Sequence, residues 1–441
     1  MKGLRNVLAG VWLSLAGTAA ASDFDTAVAA AAAAIADDVV SWRRNLHQHP
    51  ELSNREFRTA EVVAAHLRGL GLEVVTGVAH TGVVGVLRGG RPGGVVALRA
   101  DMDALPVTER TGLPFASTAT AVYEGNQVGV MHACGHDAHM AILMGAAQVL
   151  AGLKAQIPGV VKFVFQPAEE GAPRGERGGA SLMIDEGVLQ APAPTAIFGL
   201  HVGQHGAAGT ASYREQGFLA SAQRFDITVT GKPTHGARPW AGADPIVAAA
   251  QIVGSLQTIV ARELDVTSAP AVVTVGAFKA GVRNNIVPET ATLSGTIRTF
   301  DAVTREAVHR KLERIATNVG EAHGVAVAVV IEPGVPVTFN DPALVRRVLP
   351  TLQRVYGADR VVRAGRVTGA EDFAFYQREI PGFFFFIGGR PVHVTPDRAV
   401  PNHSPYFTID EAALLPGVEV MSLLALDYLS AWESPDPEAV R

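Results

Sequence analysis

One cysteine, Cys134, occurs in 441 residues, so no internal disulfide can form and stability must come from the core. Charge is also sparse: 18% of residues are charged, and the formal net charge is −5. Phosphate binding needs a basic surface, which excludes a nucleic-acid partner. The apolar stretch near the N-terminus, Val7 to Ala16, is too short to span a bilayer, and no stable membrane anchor is expected. No internal repeat of solenoid length is present. What remains is a soluble globular composition, 48% hydrophobic, in a chain long enough for two or three domains.

The first residues read as a secretory leader. Lys2 and Arg5 precede the apolar stretch, and Ala19-Ala20-Ala21 offers a small-residue cleavage site, so residues 1–21 are expected to be removed. Residue 22 is Ser, where a bacterial lipoprotein would need cysteine. Export, to the periplasm, is the expectation. A lone exported thiol is an oxidation liability unless something protects it. Metal ligation would protect Cys134.

Apolar spacing predicts helices over Ile35–Leu46 and Glu56–Leu70, then short strands at Leu72–Val75, Gly82–Arg88 and Val95–Ala100. A helix over Met140–Leu153 and buried strands at Val160–Phe165 and Ala196–Leu200 follow. This alternation predicts an α/β catalytic domain, a mixed sheet flanked by helices, over residues 22–212. From about Tyr213 the pattern changes to strands at Gln223–Thr230, Ala271–Ala277, Ala291–Thr299 and Val325–Ile331, with helices over Pro245–Arg262 and Ala302–Val319. An α+β insert over 213–332 fits this pattern. Helix and strand return over 333–441, with Pro342–Tyr356, Phe383–Ile387 and Ile409–Trp432 completing the catalytic domain.

The densest chemistry lies in Met131-His132-Ala133-Cys134-Gly135-His136-Asp137-Ala138-His139. Thiolate and imidazole are strong transition-metal ligands, and a helix N-terminus favours the thiolate. Spacing alone does not choose among His132, Asp137 and His139 as further ligands. Glu169-Glu170 ends the Val160–Phe165 strand, where an α/β sheet places its sites. Adjacent carboxylates point apart, so one can bind metal while the other stays a free base. Asp101 and Asp103 close another strand and could bind metal or orient an imidazole.

Three segments in this order, Arg99-Ala100-Asp101-Met102-Asp103-Ala104-Leu105-Pro106, the cysteine–histidine run and Gln166-Pro167-Ala168-Glu169-Glu170-Gly171, resemble one amidohydrolase family. It includes hippurate hydrolases, indole-acetyl-amino-acid hydrolases and N-acetyl-diaminopimelate deacetylases, within the aminoacylase and carboxypeptidase-like zinc peptidases. The resemblance runs from about Ser41 to the last helix. It implies a two-metal catalytic domain with an inserted lid that mediates a homodimer or higher homo-oligomer. Carried over, it makes Cys134, His136, Glu170, His201 and His403 the ligands of two divalent ions, manganese or zinc, with cobalt a further option. It makes Glu169 the base and sets His235 to reach a partner subunit's active site. It puts Asn285 and Arg298 near the substrate carboxylate and gives Asp103 and Glu371 supporting roles.

The implied activity is hydrolysis of the amide bond of N-acyl amino acids, aromatic or aliphatic, releasing a carboxylic acid and a free amino acid. A dipeptidase or carboxypeptidase-type exopeptidase is the chemical alternative. An exported binding protein without turnover is the third reading, and Glu169 argues against it, because binding alone needs no extra base. Phe383-Phe384-Phe385-Phe386 reads as a buried strand that is core on at least one face, with a C-terminal end that could shape an acyl pocket; Trp240 is another candidate for that pocket, equally explicable as lid packing.

Overall fold

The computed structural model describes residues 24–265, 267 and 270–431. The leader read in residues 1–21 and the last residue of the final predicted helix, Trp432, lie outside them.

An eight-stranded mixed sheet is the frame. Its order is Glu73–Val78, Gly82–Arg88, Pro158–Gln166, Arg91–Asp101, Ala196–Ala207, Gly382–Arg390, Ala211–Tyr213 and Val361–Arg363. The four central strands, 158–166, 91–101, 196–207 and 382–390, run parallel, so their C-terminal ends share one edge. Strands covered on both faces carry nearly unbroken apolar runs, as these do. Lys162 and Arg99 interrupt these runs. Lys162 Nζ donates to the carbonyls of Val188, at 2.8 Å, and Gln190, at 2.5 Å.

Helices Ala36–Gln48, Phe57–Gly69, His136–Gly152, Pro342–Tyr356 and Leu414–Ser430 cover one face of the sheet. Leu414–Ser430 is apolar around its circumference because it packs against His136–Gly152, Pro342–Tyr356 and the sheet together. The Ala-rich stretch ahead of Ile35 forms its own helix, Asp25–Ala34, and the chain turns at Ile35 (φ −114°, ψ 12°). That turn lets the first helix lie on Leu414–Ser430 while the second packs on His136–Gly152. The opposite face is covered by short helices Gly179–Asp185 and Ala374–Glu379, which sequence periodicity did not reveal.

The phenylalanine run divides between the two cores. Phe383 and Phe385 pack under the long helices, and Phe384 and Phe386 on the other face. All four are buried because their strand is interior to the sheet. Only Phe386 reaches the site, its ring centroid 5.4 Å from that of His201.

A second sheet, antiparallel, has the order Val272–Ala280, Thr290–Arg298, Gln223–Thr230 and Ala326–Ile331. Helices Pro245–Thr258 and Ala302–Ala322 cover one face, giving two strand–helix–strand units around a separate core of Phe225, Ile227, Ile252, Leu256, Leu293 and Leu312. Aspartates start both helices. Asp244 accepts from the Ile246 N–H at 2.8 Å, and Asp301 from the Thr304 N–H at 2.7 Å. The helix read as continuous to Arg262 widens at Ile259–Glu263 into i→i+5 turns. Chain enters this unit through Gln216–Leu219 and leaves through Thr338–Asn340, and these two short strands pair antiparallel as a neck.

A hairpin pairs Thr120–Tyr123 with Asn126–Gly129, a segment to which spacing assigned no element. Its turn residues Glu124 and Gly125 both have positive φ, 48° and 80°, the combination a tight two-residue hairpin turn requires.

Candidate metal centre

The shared C-terminal edge of the parallel strands collects the polar residues. Strand 91–101 delivers Arg99, Asp101 and then Asp103; strand 158–166 delivers Gln166 and then Glu169-Glu170; strand 196–207 delivers His201. Cys134 and His136 arrive at the N-terminus of His136–Gly152. Gly135 lies between them with φ +98°, and a Cβ there would meet Val202 Cγ1 at 2.4 Å. No other residue fits that approach. His403 is brought in by a loop whose backbone N–H donates to Ala133 O at 2.7 Å, while Asn402 Nδ2 donates to Cys134 O at 2.9 Å. His403 and Ala168 both sit in the left-handed region, φ 69° and 53°, a strain concentrated at this centre.

Hydrogen bonds decide which way each imidazole faces. His136 Nδ1 donates to Asp103 O at 2.8 Å, leaving its buried Nε2 without a hydrogen-bond partner. His201 Nδ1 donates to Val202 O at 2.8 Å, turning Nε2 toward Cys134 Sγ at 3.3 Å. His403 Nε2 lies 3.2 Å from Cys134 Sγ and 3.0 Å from Glu170 Oε1. Five overlapping groups result among the described residues, each with donor atoms mutually within 4.8 Å: Cys134, His136 and His201; Cys134, Glu170 and His403; His136, Glu169 and Glu170; Asp101, His136 and His139; and Glu169, Glu371 and Asp372. Sulfur, imidazole nitrogen and carboxylate oxygen around an orphaned buried nitrogen make a donor set fitted to transition-metal ions, with Cys134 shared between two groups.

Of the three residues that spacing left in competition, His139 and Asp137 are taken by other partners. His139 Nδ1 donates to Asp101 Oδ1 at 2.6 Å, and its Nε2 accepts from the Val202 N–H at 2.8 Å. Asp137 holds His47 Nδ1 and Arg43 Nε, each at 2.8 Å. His132 is buried, with neither ring nitrogen hydrogen-bonded. Burial drives its affinity for a proton down, to a pKa of about 3.

Asp103 organises the carboxylate pair. Its Oδ1 accepts from the Glu169 N–H and its Oδ2 from the Glu170 N–H, each at 3.0 Å, and Ser53 Oγ donates to Oδ2 at 2.8 Å. Glu170 then faces His403. The Glu169 carboxylate makes no hydrogen bond among the described residues and lies 3.9 Å from His136 Nε2. Burial, with Glu371, Glu170 and Asp372 close by, holds its pKa well above the usual carboxylate range.

Glu371 lies in a buried ion cluster that sequence reading saw only in part. Arg99 donates from Nη1 to Asp101 at 2.7 Å, from Nη2 to Glu371 and Asp372 at 3.0 Å each, and from Nε to Gln166 Oε1 at 2.9 Å. Arg99 interrupts an apolar strand, which was the available signal. Glu56 was missed altogether: buried, it accepts from Thr81 Oγ1 at 2.5 Å and from the Ala168 N–H at 3.0 Å. Burial and Asp103 push its pKa to about 8.

Negative groups therefore crowd the centre and compete for positive charge. Cys134 and Glu170 raise the His403 pKa to about 10. Burial opposes a charge on His136, yet Asp101, Asp103 and Cys134 raise its pKa well above the imidazole value.

Of the remaining predicted site residues, Arg298 ends strand Thr290–Arg298 of the second sheet, His235 lies in the separate short pair Thr234–His235 with Ile286–Val287, and Asn285 directly precedes that pair's second strand; among the described residues no hydrogen bond or ion pair joins them to this cluster. His235 is exposed, its Nδ1 accepting from the Ala237 N–H at 3.0 Å. Asn285, also exposed, adjoins it through the Gly236 N–H to Asn285 O bond of 2.8 Å. Arg298 is half-buried, and no hydrogen-bond or ion-pair partner is found for its guanidinium among the described residues. Burial lowers its pKa. Trp240 is 77% exposed, so neither of its two readings, acyl-pocket lining or lid packing, describes it within the single chain.

The profile of peptidase family M20/M25/M40 matches residues 97–427. Thermostable carboxypeptidase 1 of Saccharolobus solfataricus is 38% identical over 396 residues, covering 89% of this chain and 96% of the relative. IAA-amino acid hydrolase ILR1-like 4 of Arabidopsis thaliana is 38% identical over 397 residues, 89% of this chain and 86% of the relative. Among solved structures, the Bacillus subtilis YXEP protein, a dinuclear metal binding peptidase from the M20 family, superposes with a TM-score of 0.76 at 34% identity, covering 90% of this chain and 99% of that one. The chain belongs to peptidase family M20/M25/M40 and is a metal-dependent amidohydrolase/peptidase of that family.

Proposed function

We propose that this enzyme hydrolyses N-acyl amino acids to a carboxylic acid and a free amino acid, with two divalent ions held by Cys134, His136, Glu170, His201 and His403. One observation carries the reading: Asp103 fixes both glutamates, yet only Glu170 joins a cysteine–histidine group while Glu169 keeps a free carboxylate beside it. Bound divalent ions supply Lewis acidity at the scissile carbonyl and lower the pKa of the attacking water. Glu169 takes a proton from that water as the C–O bond forms. It returns the proton to the amide nitrogen as the C–N bond breaks. Arg298, a guanidinium with no partner of its own, pairs with the α-carboxylate. His235, exposed on the inserted unit, serves the site of a second copy in a homodimer and stabilises the developing oxyanion there.

The test is a hydrolysis screen on chelated enzyme resupplied with manganese, zinc or cobalt. Substrates are N-benzoylglycine, N-acetyl amino acids and dipeptides. Turnover of the N-acyl compounds supports the reading. Turnover of dipeptides alone supports the exopeptidase alternative, favoured by the carboxypeptidase relative. No amide hydrolysis with any metal would return the non-catalytic reading. Export to the periplasm is part of the proposal, and N-terminal sequencing of mature protein should place the cut near Ala21.

A further inference from the structure

Strand Pro158–Gln166 ends where Pro167, lacking an N–H, can no longer donate to a neighbouring strand. The next three N–H groups, those of Ala168, Glu169 and Glu170, each donate to a carboxyl oxygen, at 3.0 Å in every case. Asp103 accepts the last two and Glu56 accepts the first. Ala168 is the strained member of this turn. Its φ of 53° is costly for a residue that carries a Cβ, so the surroundings have to hold it. Glu56 is fully buried and has no ion-pair partner among the described residues. It directly precedes helix Phe57–Gly69 yet caps no N–H of that helix. Its oxygens go instead to the Ala168 N–H and to Thr81 Oγ1, the second at 2.5 Å, and Thr81 is buried too. Ser53 and Asn54 grip the same region, donating to Asp103 at 2.8 Å and to the Arg177 carbonyl at 3.0 Å. Residues 53–56 therefore brace the chain on both sides of Glu169-Glu170.

We infer that Glu56 is a positioning residue for the hydrolysis: its hydrogen bond locks the Ala168 turn and thereby aims the Glu169 carboxylate. The inference rests on the reading of Glu169 as the base. The two glutamates differ in what holds their side chains. Glu170 lies 3.0 Å from His403 Nε2, a tether of its own. The Glu169 carboxylate has no hydrogen bond among the described residues, so its direction follows from its backbone. Asp103 holds the amide of Glu169 and Glu56 holds the amide before it. A reacting group displaced by about 1 Å loses on the order of a hundredfold in rate. Placement is what the role requires, not charge. Burial, with Asp103 nearby, raises the Glu56 pKa to about 8, so the group is mostly neutral at neutral pH. A neutral carboxyl and a carboxamide share one shape. In Glu56→Gln the amide oxygen still accepts from the Ala168 N–H while the amide nitrogen donates to Thr81 Oγ1. In Glu56→Asp the carboxyl is kept on a shorter stem, and the Ala168 N–H goes unmet.

The test measures kcat, KM and metal content of the full-length, metal-loaded enzyme on one N-acyl amino acid. Wild type is compared with Glu56→Gln, Glu56→Asp and Thr81→Val. Glu56→Gln should keep kcat within about twofold, and Glu56→Asp should lose about ten- to a hundredfold, with KM within about twofold in both. Metal content by elemental analysis should match wild type throughout, because Glu170 keeps Asp103 and His403. Thr81→Val takes away the hydroxyl that steadies Glu56 and should show a smaller loss of kcat of the same kind. It decides the matter where Glu56→Asp fails to fold. In a Glu169→Ala background, Glu56→Asp should cost less than about twofold, since the base it aims is absent. Glu56→Asp matching wild type, Glu56→Gln falling as far as Glu56→Asp, lost metal, or an undiminished loss in the Glu169→Ala background would each overturn the role. A fall in Tm with kcat intact would leave Glu56 a purely structural residue. In all these cases wild type still hydrolyses the substrate and the parent reading stands. Glu169→Ala turning over at the wild-type rate would instead remove the base, and the role of Glu56 with it.

Discussion

Glu169 and Glu170 are neighbours in sequence, and Asp103 pins both amides while the two carboxylates take different surroundings, which is why the proposal gives them different roles. A base must be free to accept a proton, whereas a ligand must not be. Glu169→Ala should leave metal content unchanged, read by elemental analysis, while lowering kcat by roughly a hundred- to ten-thousand-fold. Loss of metal in that variant would exchange the two roles. Cys134 is shared by two donor groups, so its replacement should weaken both. Cys134→Ser is expected to reduce metal occupancy and to slow turnover in proportion. Full occupancy at normal activity would remove Cys134 from the centre.

At the level of elements, helices and strands carry their own tests. Asp301 caps Ala302–Ala322, and Asp301→Ala should cost about 1 kcal/mol in urea unfolding followed on the inserted unit. Strand 158–166 buries Lys162, and burial lowers its pKa from 10.5 to about 8. The folded state therefore holds fewer protons than the unfolded chain between these two values. Stability contributed through Lys162 must rise as pH climbs through that window and be lowest below about 8. Measured against Lys162→Met, the wild-type Tm should gain as pH goes from 7 to 10. A constant difference would show that the lysine keeps its proton in the strand.

The whole molecule couples two units, one with a core on each face of the large sheet and one with a core of its own, through a narrow neck, Gln216–Leu219 against Thr338–Asn340. His235 and Glu169 belong to different units, and among the described residues no hydrogen bond or ion pair joins His235 to the centre of its own chain. If the lid serves a second copy, Glu169→Ala and His235→Ala are each nearly inactive alone. Mixed and exchanged, they should recover part of the activity, because a mixed dimer holds one complete site. Recovery absent from verified heterodimers would place His235 outside catalysis.

Much of this was legible in the chain. Strands Gly82–Arg88 and Gln223–Thr230 and helix Pro342–Tyr356 fall where their spacing predicts, because burial imposes periods of 2 and 3.6 on any element that packs one face. The segment Met131–His139 announced a metal site because few other uses bring a thiol and imidazoles together at such spacing. Local sequence could not say that His139 spends both nitrogens on Asp101 and Val202, nor that Asp137 is held by Arg43 and His47. Those partners lie 38 to 94 residues away along the chain, a separation only the sheet order closes. The phenylalanine run is core, as a buried strand should be, and only its C-terminal Phe386 reaches the site; spacing assigned no element to the hairpin Thr120–Gly129. Residue chemistry was fixed by side-chain type. Which donor faces the centre was decided by hydrogen bonds between segments that meet only when the parallel strands align.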